Sequence, residues 1–121
     1  MLRKLFARAG GGGRAASITV NAANDGATTG KLKLVDVREP HEFAAGHPAG
    51  AINVPLSGFP TAVASLPDGP VALTCQSGMR SGKAAKAAVA AGRTDISNVR
   101  GGFSAWQAAG LPTQTKKKGN R

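Results

Sequence analysis

Five short apolar segments punctuate the chain, and the spacing between them restricts what it can fold into. Residues 17–20, 32–37, 51–54, 71–74 and 96–99 are strand candidates, each bounded by Gly, Pro or polar residues. Helix-compatible stretches lie between them. Residues 21–30 are polar and Gly-bearing, so any helix there is expected to be weak. Pro40 is placed to open a helix through 41–45, up to Gly46. Residues 57–66 could form a short helix, stopped by the turn at 67–70. The Ala- and Lys-rich run 81–91 stops at Gly92, and a last helix over 103–109 carries Trp106 before Gly110. Strand–helix alternation of this kind predicts an α/β domain with a mainly parallel sheet.

Composition narrows the function classes. A single cysteine, Cys75, excludes an internal disulfide framework and a multi-cysteine zinc site. No apolar run approaches the roughly 18 residues needed to span a bilayer. The net charge of +10 would suggest nucleic acid if it lay on the folded unit. It does not: residues 1–16 carry +4, residues 111–121 another +4, and residues 17–110 only +2. The organisation expected is a basic, Gly-rich flexible lead-in over 1–16, a domain over 17–114 and a basic tail over 115–121. The acid-free start also resembles a mitochondrial targeting peptide, which sets a mitochondrial location beside a cytoplasmic one. Cytoplasm is the default, because reducing conditions keep a thiol free.

The chemistry-bearing stretch is Cys75-Gln76-Ser77-Gly78-Met79-Arg80, between a strand end and a helix start. In α/β sheets, ligands bind beyond the carboxyl ends of strands. A loop of this length can turn successive N–H groups inward, and Gly78 allows a backbone conformation that a side chain would obstruct. Those amides, the positive end of the following helix and Arg80 would make an anion cradle. The same field favours a thiolate, the reactive form of cysteine. A small buried structural cysteine is the plainer reading, but it does not account for the Gly and Arg at this spacing.

CQSGMRS at 75–81 resembles the active-site loop of single-domain rhodaneses, the sulfurtransferases. LVDVREPHEF at 34–43, AGHPAGAINVP at 45–55 and GGFSAW at 101–106 extend the resemblance in the family's order. It implies a three-layer α/β/α domain with a five-stranded parallel sheet. It also implies a two-step reaction: Cys75 takes the sulfane sulfur of thiosulfate or a similar donor, and the persulfide passes it to a thiol or cyanide. Gln76, Ser77, Gly78, Met79 and Arg80 would bind the donor or hold the loop closed. By the same resemblance Arg38 pairs with Glu42, Asp36 shapes the pocket and His47 supports it. No metal and no organic cofactor is implied.

The motif at 46–50, Gly-His-Pro-Ala-Gly, departs from the usual Gly-His-Ile-Pro-Gly, which bears on packing rather than chemistry. Phosphatases of similar fold carry one more residue between Cys and Arg and so enclose a larger anion, which sets that activity behind sulfur transfer. Two different functions are also compatible with these residues. One is a sulfur-carrier or regulatory binding module serving a specific protein acceptor. The second is nucleic-acid binding through the tails, which would show steep salt dependence. The lysines at 116–118 resemble a point where longer relatives continue into a further segment. His41 is expected among exposed helix residues, and Trp106 in the core.

Overall fold

The computed structural model describes residues 15–116, so most of the lead-in (1–16) and tail (115–121) lies outside the described residues. Strands β1 (Ala16–Ile18), β2 (Lys33–Asp36), β4 (Ile52–Asn53), β5 (Val71–Thr74) and β6 (Ile96–Val99) form one sheet. Their order is β1-β6-β5-β2-β4, and every pairing is parallel. Helices are α1 (Val20–Thr28), α2 (Pro40–Ala45), α3 (Met79–Ala90) and α4 (Gly102–Ala108). A two-stranded antiparallel pair joins β3 (His47–Pro48) to β7 (Thr113–Gln114).

Alternating side chains divide the core into two layers. On one face Val35, Val71, Leu73 and Ile96 pack with Ala84, Ala85 and Ala88 of α3. On the other, Leu34, Ala72 and Val99 meet Val20 and Ala23 of α1, and Phe103 and Trp106 of α4. Alanine dominates the contacts of α3, which lets that helix lie close to the sheet with small side chains. Trp106 is 1% exposed and donates its indole N–H to the Pro112 carbonyl at 2.8 Å, satisfying its polar atom inside the core.

Two expectations need correction. The strand foreseen at 17–20 ends at Ile18, and the polar stretch after it is a nine-residue helix beginning at Val20. Thr19 causes the switch: its backbone is extended, and its hydroxyl accepts the Ala22 N–H at 3.1 Å, capping α1. Val20 and Ala23 alone on α1 are buried, so tertiary packing and the cap carry a helix whose sequence lacks an apolar stripe. Gly26 helps, because a Cβ there would lie 2.6 Å from the Leu32 side chain. In 57–66, the expected short helix is two 3-10 turns, Leu56–Gly58 and Thr61–Ser65, separated by Phe59-Pro60. Pro60 withholds the amide that a continuous helix would need.

The topology positions the site. After β2 the chain moves outward to β4, whereas after β5 it moves the opposite way to β6. The sheet therefore reverses direction between β2 and β5, and a crevice at the carboxyl ends of those two strands follows. Asp36–Arg38 leaves one strand there, and Cys75 leaves the other.

Candidate active site

Cys75 is 1% exposed and sits directly after β5, where the chain stops pairing and turns. The turn is possible because Gly78 adopts φ +111°, a left-handed conformation that disfavours side chains. That turn aims the Gly78 N–H at the Cys75 Sγ, 3.0 Å away. Gly78 is also the cap residue of α3 and offers no side-chain cap, so the first turn of the helix opens towards the sulfur. The Ser81 hydroxyl, one turn into α3, lies 3.4 Å from the sulfur.

These groups outweigh burial. Desolvation pushes the Cys75 thiol up, but the Ser81 hydroxyl and the N–H groups of Ser81, Gly78 and Ser77 bring it below its ordinary value. Of the cradle expected over 76–80, Ser77 and Gly78 bear on the sulfur through their amides, and Ser81, beyond that range, joins them. Sequence reasoning singles out neither Ser81 nor Asn98, yet both belong to the site. Asn98 Oδ1 is 2.6 Å from the Ser81 Oγ, and its Nδ2 donates to the Gly78 carbonyl at 3.3 Å. Ser81 has one hydroxyl proton to share. Asn98 Oδ1 is its nearest acceptor, with the Gly78 carbonyl and the sulfur each at 3.4 Å, and a Cys75 thiolate would compete for it through a charge-assisted bond. Ser81→Ala is therefore expected to move the Cys75 titration to higher pH and to slow alkylation by iodoacetamide at neutral pH about threefold. An unchanged pH profile of alkylation would remove Ser81 from this role.

The loop is fixed from behind by α4. Phe103 N–H donates to the Cys75 carbonyl at 2.8 Å, and Ser104 N–H to the Gln76 carbonyl at 3.0 Å. Backbones approach this closely because Gly102 has no side chain: a Cβ there would lie 2.5 Å from the Cys75 carbonyl oxygen and 2.7 Å from the Gln76 carbonyl carbon. With φ +55° as well, Gly102→Ala is expected to cost about 2–3 kcal/mol in urea unfolding and to loosen the loop. The motif Gly101-Gly102 carries this signal in the sequence.

Asp36 and Arg38 form the floor beside the loop. The expected Arg38–Glu42 pair is not formed; Arg38 pairs with Asp36 instead. Residues two apart on a strand end point the same way. Asp36 accepts the Arg38 backbone N–H at 2.9 Å and its Nε and Nη2 at 3.1 and 2.8 Å. The guanidinium continues to the Gly46 carbonyl at 2.6 Å and to Gln76 Oε1 at 3.2 Å, and lies 4.6 Å over the Phe103 ring. Gln76 in turn donates to Ser104 Oγ at 2.9 Å, so its side chain is a tie across the loop.

Glu42 belongs to Arg80. The two make a bidentate pair, Nη1–Oε1 2.7 Å and Nη2–Oε2 3.0 Å, which joins α2 to the first turn of α3. The Arg80 guanidinium holds the Glu42 carboxyl down, from 4.5 to about 2, against the opposing effect of burial. Ser77 and Met79 are exposed, Met79 at 74%, so of the loop they form the outer rim. His47 is buried away from the sulfur's hydrogen bonds: its ring stacks on Phe43 at 3.6 Å, with Nδ1 2.7 Å from the Phe43 carbonyl. Its place is in the segment that carries the Gly46 carbonyl to Arg38. His41 is exposed. Among the described residues no group of three or more His, Cys, Asp or Glu side chains could hold a metal ion, and no helix is long and apolar enough to cross a membrane.

A family model described as "Rhodanese-like domain" matches residues 19–109. The protein YqhL of Bacillus subtilis (strain 168) is 47% identical over 77 residues, 63% of this chain and 61% of that protein's length. "Thiosulfate sulfurtransferase 16, chloroplastic" of Arabidopsis thaliana is 37% identical over 111 residues, covering 81% of this chain and 92% of its own. Among solved structures, a rhodanese-related protein from Thermoplasma volcanium aligns with a TM-score of 0.74 and 30% identity, over 82% of this chain and 97% of that one.

Proposed function

The chain belongs to the rhodanese-like domain family, which includes sulfurtransferases, and from that premise we propose that it transfers a sulfane sulfur through a persulfide on Cys75. The carrying observation is a buried thiol at the end of β5 that accepts the Gly78 N–H at 3.0 Å and lies 3.4 Å from the Ser81 hydroxyl, groups that lower its pKa against the effect of burial. In the first step the Cys75 thiolate attacks the outer sulfur of thiosulfate. The new S–S bond forms as the old one breaks, and sulfite leaves with its electron pair. The persulfide's terminal sulfur then carries the negative charge, which the N–H groups of Ser77, Gly78 and Ser81 stabilise. In the second step cyanide or a thiolate attacks that terminal sulfur and returns Cys75 as a thiolate.

The remaining residues divide by what they touch. Gln76, Arg38 and Asp36 position the loop, and Arg80 closes it against α2 through Glu42. Met79 and Ser77 form the rim that donor and acceptor pass. A cytoplasmic setting fits this chemistry, since the returning thiolate needs reducing surroundings.

The test is intact mass. Protein incubated with thiosulfate and freed of excess is expected to gain the mass of one sulfur atom, and to lose it on adding cyanide with release of thiocyanate. Absence of any gain with both thiosulfate and a thiosulfonate donor would overturn the reading.

A further inference from the structure

Neither Arg38 nor Arg80 presents its charge to the sulfur unmatched. Arg38 is closed off by Asp36, Gly46 and Gln76. Arg80 follows the loop at once and lies within electrostatic reach of Cys75, yet both its terminal nitrogens are engaged by Glu42 at 2.7 and 3.0 Å. Glu42 is itself fixed in place. It is the third residue of α2, and its Oε1 also accepts the Glu39 backbone N–H at 2.9 Å in a capping box. The Arg80 and Glu42 side chains are 37% and 27% exposed, so this carboxylate sits at the entrance rather than deep in the core.

A donor entering this mouth therefore meets backbone N–H groups, a matched guanidinium and a rim carboxylate. Backbone amides stabilise charge close to the sulfur, but while Glu42 neutralises the Arg80 guanidinium that pair offers a doubly charged donor no net attraction. We propose that Glu42 is a specificity-determining residue: by holding Arg80 it biases the site against dianionic sulfur donors, thiosulfate among them, and towards donors with a single negative charge, such as thiosulfonates. This rests on the sulfurtransferase reading and concerns its donor. With a thiosulfonate, the Cys75 thiolate bonds to the outer sulfur, the sulfur–sulfonyl bond breaks, and a sulfinate leaves with the electron pair. The leaving group carries one charge, where sulfite carries two.

The experiment compares kcat/KM for thiosulfate and for benzenethiosulfonate, with cyanide as acceptor, in the wild type, Glu42→Gln, Arg80→Gln and the double variant. Gln at this helix position preserves the capping box, and thermal unfolding run alongside reports whether α2 is retained. Glu42→Gln is expected to raise the thiosulfate-to-thiosulfonate ratio about fivefold, chiefly through the KM for thiosulfate, and added salt should shrink that gain. In an Arg80→Gln background the gain should be clearly smaller, because the freed guanidinium supplies most of it. An unchanged ratio, or an equal change for both donors, overturns the proposal, since a merely structural role would move both alike. An undiminished gain without Arg80 also overturns it. Sulfur uptake by the wild type from neither donor would instead overturn the sulfurtransferase reading and this inference with it.

Discussion

Cys75→Ser is expected to abolish persulfide formation and to lower sulfur transfer by at least about 10³-fold while leaving the fold in place. A hydroxyl has nearly the shape of the thiol, and it can still accept the Gly78 N–H that now reaches Sγ at 3.0 Å. What it cannot do is ionise in this setting, because a hydroxyl's pKa lies far above any value that the Ser81 hydroxyl and three amides could bring to neutrality. Nor can serine carry a sulfane sulfur and give it back. Intact mass after thiosulfate, together with the thiocyanate assay, checks both halves. Wild-type turnover in the serine variant would remove Cys75 from the chemistry altogether.

Asp36→Ala should have the largest effect on stability, about 3–5 kcal/mol. Asp36 is 0% exposed and Arg38 3%, and the carboxylate takes three hydrogen-bonding groups of Arg38: the backbone N–H, Nε and Nη2. Without it a buried guanidinium keeps only the Gly46 and Gln76 oxygens and the Phe103 ring. The loss is a large part of the roughly 5–15 kcal/mol that holds a small domain together. A fall in the urea midpoint with unchanged slope is the readout. Asp36→Asn should fall between, since the amide oxygen still accepts the Arg38 N–H. A midpoint for the alanine variant within error of wild type would mean that Arg38 finds new partners.

Strands β2 and β5 are legible because buried parallel strands need β-branched or apolar runs, and 32–37 and 71–74 are such runs. Helix α1 is not, since its sequence VNAANDGAT places only Val20 and Ala23 in the core and relies on the Thr19 cap. The β3–β7 pair is two residues on each side and is made by segments far apart in sequence, so no local pattern announces it. At the site, the turn around Cys75 is visible in the spacing from Cys75 to Arg80. The partners of the charged groups are not. Two arginines and two carboxylates allow either pairing on paper, and only the turn after Cys75, which carries Arg80 over to α2, decides between them. Ser81 and Asn98 carry no local signal because their part in the site depends on how α3 lies along β6. Neither residue is unusual in a helix start or a strand end.

The order of the sheet has a consequence for how the chain comes together. β1, at the beginning of the described chain, pairs only with β6, near its end: Ala16 lies beside Ser97 and Ile18 beside Val99. That contact closes nearly the whole domain into a loop, and its entropic cost falls before the contact rewards it. The thiol's surroundings share the dependence, because Asn98, Phe103 and Ser104 all arrive after β6 begins. During synthesis, then, the cysteine is made well before the groups that hold its loop, and it acquires its reactive setting only as the last strand and helix dock.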